Sequence, residues 1–62
     1  MDKVKVVKDG IPDHYNILTN GELTHLAANS GGGLWTIHRA GDKSYIGMCA
    51  RQQIANFCRD NK

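Results

Sequence analysis

The stretch Leu34–Cys49, LWTIHRAGDKSYIGMC, decides the fold more than any other part of the chain. Apolar and polar residues alternate on both sides of Gly41-Asp42, a dipeptide suited to a tight turn, and this pattern predicts a β-hairpin. When the turn closes there, directly opposed residues share a face and the ribbon gains one apolar side. The residues on that side are then Trp35, Ile37, Ile46 and Met48, in the pairs Ile37–Ile46 and Trp35–Met48. His38 and Tyr45 become neighbours on the other side.

Residues 3–18 predict two further strands. Lys3–Lys8 alternates charged and β-branched residues, which is the period of a strand with one wet face. Asp9-Gly10 supplies a turn, and Pro12 delays the return strand because proline cannot donate to a β-ladder. We predict the second strand over His14–Leu18.

Residues 20–29 fit either a helix or part of a hairpin. Asn20-Gly21 favours a hairpin turn, whereas Thr19 and Glu22 form a capping box that favours a helix start. A hairpin with regular pairing leaves neither of its faces cleanly apolar. A helix instead has one apolar face and can end at the glycines that follow it. That face consists of Leu23, Leu26 and Ala27, and the glycines are Gly31, Gly32 and Gly33. We therefore predict the helix, with the hairpin as the alternative.

A second helix is predicted over Ala50–Asp60. Its apolar stripe has helical spacing and consists of Ala50, Ile54, Phe57 and Cys58. The whole chain is then a single α+β domain over residues 1–62. It has a small antiparallel sheet of about four strands with two helices on one face, in the order β-β-α-β-β-α.

Size and composition exclude several classes of protein. A chain of 62 residues buries only about 60% of the surface exposed by its unfolded form, which leaves little volume for a substrate cleft. The formal net charge of +2 is small for a dedicated nucleic-acid protein. No apolar run approaches the length of a membrane span, and no signal peptide is evident, so we expect a cytoplasmic protein without membrane contact. Cys49 and Cys58 are expected to be reduced thiols that pack as small apolar side chains.

No motif predicts catalysis, a metal site or a cofactor. Gly31–Gly33 precedes a strand rather than a helix, whereas a phosphate-binding loop opens a helix. The histidines and cysteines lack the close spacings of zinc ligands. Ser30 lies outside a nucleophile elbow. We therefore predict a protein that is not an enzyme.

The remaining prediction is a small protein-binding module, an accessory regulator or inhibitor that occupies the surface of a partner protein. Tyrosine and arginine are frequent interface anchors, and small size suggests a viral or mobile-element accessory protein. The candidate partner-binding residues are His38, Arg39, Lys43, Tyr45, Arg51 and Arg59. The alternative is a DNA-binding domain that uses the 34–49 ribbon, since a two-stranded ribbon can enter a major groove. The partner's identity and the oligomeric state do not follow from the sequence.

Overall fold

The computed structural model describes residues 2–61 and is mostly β. Five strands form one antiparallel sheet in chain order, and a short helix closes the described chain. The elements are β1 (Val4–Lys8), β2 (His14–Thr19), β3 (Glu22–Gly31), β4 (Leu34–Arg39), β5 (Tyr45–Ala50), a 3-10 turn (Arg51–Gln53) and α1 (Ile54–Asp60). The predicted α+β fold of about four strands and two helices was therefore wrong. The described residues include no helix that is long and apolar enough to cross a membrane.

The predicted first helix is a strand, and Asn20-Gly21 is the hairpin turn before it. Asn20 and Gly21 both have positive φ, 54° and 85°, as the turns of two-residue hairpins require. A bulge explains why regular pairing misled the sequence interpretation. Ile17 pairs with His25 while Leu18 pairs with Leu23, so β3 has one extra residue. The extra residue brings Ile17 and Ala27 to the same face, where both are buried in the core.

Gly31 ends β3, and Gly32-Gly33 is the hairpin turn between β3 and β4, so these glycines do not end a helix. All three glycines have positive φ, from 60° to 92°, a region in which side chains with a Cβ are strained. The turn is therefore built from the residue type that tolerates this backbone best.

The pairing of β4 with β5 differs from the predicted register by one residue. Ile37 lies opposite Gly47, and Trp35 lies opposite Cys49. The register shifts between Ile37 and His38, because β5 has an extra residue at Ile46. The predicted pairs Ile37–Ile46 and Trp35–Met48 were therefore wrong, although Trp35 is buried as expected.

One face of the sheet, called here the core face, packs against α1. The buried apolar side chains of the described chain are Ile17, Ala27, Trp35, Ile37, Ile54 and Cys58. The predicted C-terminal helix is confirmed, and its apolar residues Ile54, Phe57 and Cys58 pack against the sheet. Ala50, which was predicted to begin this helix, belongs to β5. Burial is the main reason that the pKa of the Cys58 thiol rises to about 12.

His25 anchors the end of the chain to the sheet. It is only 2% exposed, and its Nε2 lies 2.9 Å from the carbonyl oxygen of Asn61. Because that oxygen can only accept, Nε2 donates the hydrogen bond. Nδ1 lies 2.9 Å from Oγ1 of Thr24, the extra residue in β3. The bulge therefore supplies the second partner that a buried imidazole needs.

Candidate functional site

The face of the sheet turned away from α1, called here the open face, is the candidate site. Within residues 2–61, no second layer of helix or strand packs on it. Residues opposed across the ladders share a face, so the register assigns the side chains. Those of the open face are Lys5, Val7, His14, Asn16, Leu18, Leu23, Leu26, Ala28, Leu34, Thr36, His38, Tyr45, Met48 and Ala50.

The open face concentrates the exposed apolar surface of the molecule. Large apolar side chains are exposed at five described positions. Four of these positions lie on the open face, at Leu23, Leu34, Tyr45 and Met48, with exposed fractions between 45% and 57%. Single exposed apolar residues are ordinary, whereas several on one face are typical of an interaction surface.

His38 and Tyr45 form the aromatic part of this face. They are directly opposed on β4 and β5, and their ring centroids lie 5.6 Å apart at an angle of 66°. This edge-to-face contact holds the Tyr45 ring in place although the residue is largely exposed. A preordered tyrosine loses little conformational freedom on binding.

A shallow hollow of about 340 Å³ lies beside these rings. Its lining includes Leu26, Ala28, His14, His38 and Lys43. The hollow therefore has an apolar floor with two imidazole rings and one lysine around it. The arrangement can accept an apolar side chain of a partner while Lys43 interacts with a carboxylate beside it.

The charges on the open face are mainly basic. Lys5 lies on a strand of this face, and Lys43 lies in the adjoining loop. Glu22 is the one carboxylate on a strand of the described chain, and it pairs with Thr19 on the core face. Asp9 approaches from a loop, where its carboxylate accepts a hydrogen bond from Asn16 Nδ2 at 3.3 Å. The face therefore presents an apolar centre with more positive than negative charge around it.

The structure brings together three of the six predicted partner-binding residues. His38, Lys43 and Tyr45 lie on or beside the open face. Arg51 and Arg59 lie instead in the helical segment that packs on the core face. Arg51 Cζ lies 4.5 Å from the centroid of the Tyr15 ring. Arg59 Nη1 donates to Asn56 Oδ1 at 3.0 Å.

Arg39 belongs to a separate cleft at the end of the sheet. It lies opposite His25 on the core face, and both residues line a cleft of about 660 Å³ together with Glu22 and Asp42. Ser44 lowers the pKa of Asp42, chiefly through its backbone N–H, which donates to Asp42 Oδ1 at 3.0 Å, and Arg39 adds to the effect. The cleft therefore has carboxylates at Glu22 and Asp42 and a guanidinium at Arg39, whereas the open face is mainly basic.

A chain of hydrogen-bonded side chains, Thr19, Thr24 and His25, lines part of the cleft. Thr19 Oγ1 lies 2.8 Å from Thr24 Oγ1, which in turn bonds to His25. Because both ring nitrogens of His25 already have partners within the protein, the imidazole has no free nitrogen to offer a ligand. Among the described residues, no group of three histidine, cysteine or acidic side chains is placed to hold a metal ion.

Sequence reasoning missed most of the apolar members of the open face. Leu23 and Leu26 were assigned to a helix, and Met48 was assigned to the core. The alternation of β3 on either side of Thr24 is the signal that could have identified them. Comparisons of this chain with protein-family models, curated proteins and solved structures found no match.

Proposed function

We propose that this protein is a protein-binding module whose open face docks on a partner protein and occupies its surface. The observation that carries the proposal is that four of the five exposed large apolar side chains, Leu23, Leu34, Tyr45 and Met48, lie on a sheet face without a second layer. Burial of such side chains against a partner is favourable by about 25 cal/mol per Å² of apolar surface.

The size of the face supports docking to a protein. Five strands of about six residues, spaced about 4.8 Å apart, span roughly 20 by 20 Å. The flat area of that footprint is about 400 Å², and the relief of the side chains increases it toward the roughly 800 Å² that each partner contributes to a standard-size interface. A regulator or inhibitor that works by masking a surface needs only a face of this kind.

The charge pattern defines the partner's chemistry. Lys5 lies on the open face, and Lys43 lines the hollow beside it. We therefore propose a partner with an apolar patch flanked by carboxylates. A second copy of this chain is disfavoured, because face-to-face packing would bring the lysines of the two copies to the same interface.

DNA binding has less support than it had from the sequence. β4 pairs with β3 as well as with β5, so the 34–49 ribbon is part of a continuous sheet and not a free two-stranded arm. Arg39, the arginine of the 34–49 ribbon, lies on the core face. Both features reduce the access of the ribbon to a major groove.

Capture experiments with a matched pair of variants test the proposal. Tyr45→Glu adds a negative charge to the open face, and Gln52→Glu adds the same charge to an exposed position in the 3-10 turn. We expect nuclease-treated extract of the native host to yield a discrete bound protein with the wild type and with Gln52→Glu, but not with Tyr45→Glu. Retention of that protein by Tyr45→Glu would contradict the proposal. A parallel capture from untreated extract that yields nucleic acid and no protein would also contradict it.

A further inference from the structure

Strand β5 is an edge strand with few of the devices that normally protect edges. The strand order places β1 and β5 at the two edges of the sheet. Natural edge strands are commonly protected from pairing with other chains by charged residues such as lysine, or by proline. Tyr45–Ala50 has the sequence YIGMCA and contains none of these. The bulge at Ile46 affects only its first half.

The other edge is better protected. β1 carries Lys5 and Lys8 within five residues, and α1 packs more extensively against it than against β5. A strand approaching β1 would meet these lysines. The two edges of the sheet are therefore not equivalent, and β5 is the more accessible one.

Hydrogen bonds in the adjacent turn reveal which backbone groups of β5 point outward. The Arg39 N–H donates towards β5, to the carbonyl oxygen of Ser44 at 2.9 Å. The N–H and C=O of a strand residue point to the same side and alternate along the strand. The N–H and C=O groups of Ile37 and Trp35 therefore also point towards β5. The N–H and C=O groups of their partners Gly47 and Cys49 point towards β4. Met48, between these two partners, directs its N–H and C=O away from the sheet.

We propose that the outer edge of β5, centred on Met48, takes an extended segment of the partner protein as an additional strand. This inference rests on the proposed function and identifies the part of the partner that is recognised. Main-chain hydrogen bonds to Met48 supply affinity in this mode, and the neighbouring side chains supply specificity. The exposed side chains of Tyr45 and Met48 belong to both surfaces, so the added strand continues the open face.

Charge defines the composition of that segment. Lys43 precedes β5, whereas the strand itself is uncharged. Arg51 follows the strand, but its guanidinium lies over the Tyr15 ring of β2. A segment that is apolar at its centre and acidic at the end beside Lys43 complements this arrangement.

A synthetic peptide tests the proposal. The probe is an acetylated and amidated Glu-Val-Thr-Val-Thr-Glu peptide, titrated into isotopically labelled protein and followed by NMR. We expect the largest shifts at the amides of Met48 and its neighbours, and slower hydrogen exchange at the Met48 amide of the wild type. Shifts confined to Leu18, Leu26 and His38, or no binding up to millimolar peptide, would overturn the proposal.

Two substitutions at one position separate backbone pairing from side-chain contact. Met48→Pro removes the outward N–H and leaves the hydrogen bonds to β4, while Met48→Ala keeps the N–H and removes the side chain. We expect Met48→Pro to weaken peptide binding at least about tenfold relative to Met48→Ala, with the fold of each variant checked by its NMR spectrum. Equal binding by the two variants would overturn the edge proposal.

The edge proposal and the open-face function fail in different ways. Equal binding by both Met48 variants, with capture still lost in Tyr45→Glu, rejects the edge and leaves the open face in place. If capture survives in Tyr45→Glu, the open-face function fails whatever the Met48 variants do. A concentration-dependent dimer that Met48→Pro abolishes would identify a second copy as the occupant, and would also overturn the edge proposal.

Discussion

The Phe57 ring of α1 lies directly over Gly47 of β5. A Cβ at Gly47 would stand 2.7 Å from Phe57 Cζ, closer than any real Cβ contact. Gly47 also pairs with the buried Ile37, so the ring covers the point where the strand meets the core. The absence of a side chain at Gly47 therefore allows the helix to approach the sheet.

A methyl group at Gly47 should destabilise the protein. We expect Gly47→Ala to cost about 1–3 kcal/mol, because the Phe57 ring must move from its packed position. In so small a domain the melting temperature would fall by roughly 4–8 °C per kcal/mol. Thermal unfolding followed by circular dichroism measures the effect. Gly41→Ala is the control, since no atom lies within 4 Å of its added Cβ, and equal melting temperatures for the two variants would contradict this packing.

Replacement of His25 by leucine should also be costly. His25→Leu leaves the Asn61 carbonyl and the Thr24 hydroxyl without their imidazole partner. An unsatisfied polar group costs about 1–3 kcal/mol where it is buried. Urea denaturation should show a loss of this order, whereas His14→Leu, at an exposed position, should change stability little. If His25→Leu lowers the free energy of unfolding no more than His14→Leu does, the hydrogen bonds of His25 do not stabilise the fold.

Local patterns predicted part of this fold and missed its bulges. The strands at Val4–Lys8 and His14–Thr19 and the burial of Trp35 follow from alternation within short segments. The extra residues Thr24 and Ile46 each reverse that alternation. Their positions depend on closure of the sheet over α1, which no local pattern contains.

The capping signals at residues 19–22 were overridden by the sheet. Thr19 Oγ1 bonds to Thr24 across the hairpin instead of capping a helix. The helix prediction and the wrong β4–β5 register also concealed the open face, because they place Leu23 on a helix and Met48 in the core. The prediction that His38 and Tyr45 are neighbours is confirmed, because the alternation within β4 and β5 is enough to bring them together.

Alkaline pH should destabilise the protein through Cys58. Burial raises the pKa of this thiol to about 12 from a reference value of 9.0, and the nearby Cys49 adds to the shift. Between these two pH values the unfolded chain loses the proton while the folded chain keeps it, so stability falls as pH rises. We expect the free energy of unfolding, measured by urea denaturation, to fall less steeply above pH 9.0 in Cys58→Ala than in the wild type. Parallel pH profiles would show that the thiol does not contribute.

Duplex DNA should bind weakly. The net charge of +2 is small beside the phosphate field, and the predicted basic contacts are divided between two faces of the sheet. We expect a dissociation constant weaker than about micromolar near 150 mM salt, measured by fluorescence anisotropy. Tighter binding that is lost in Arg39→Ala would instead support the DNA-binding alternative.

Site-specific photocrosslinking in the native host tests the open face most directly. A photoreactive phenylalanine analogue replaces Tyr45 on the open face in one version of the protein, and Gln52 on the helical side in the other. If the open face docks on a partner protein, irradiation should give a discrete crosslinked protein from position 45 and none from position 52. Crosslinking from position 52 alone, or equal crosslinking from both positions, would contradict the assignment of the open face as the binding surface.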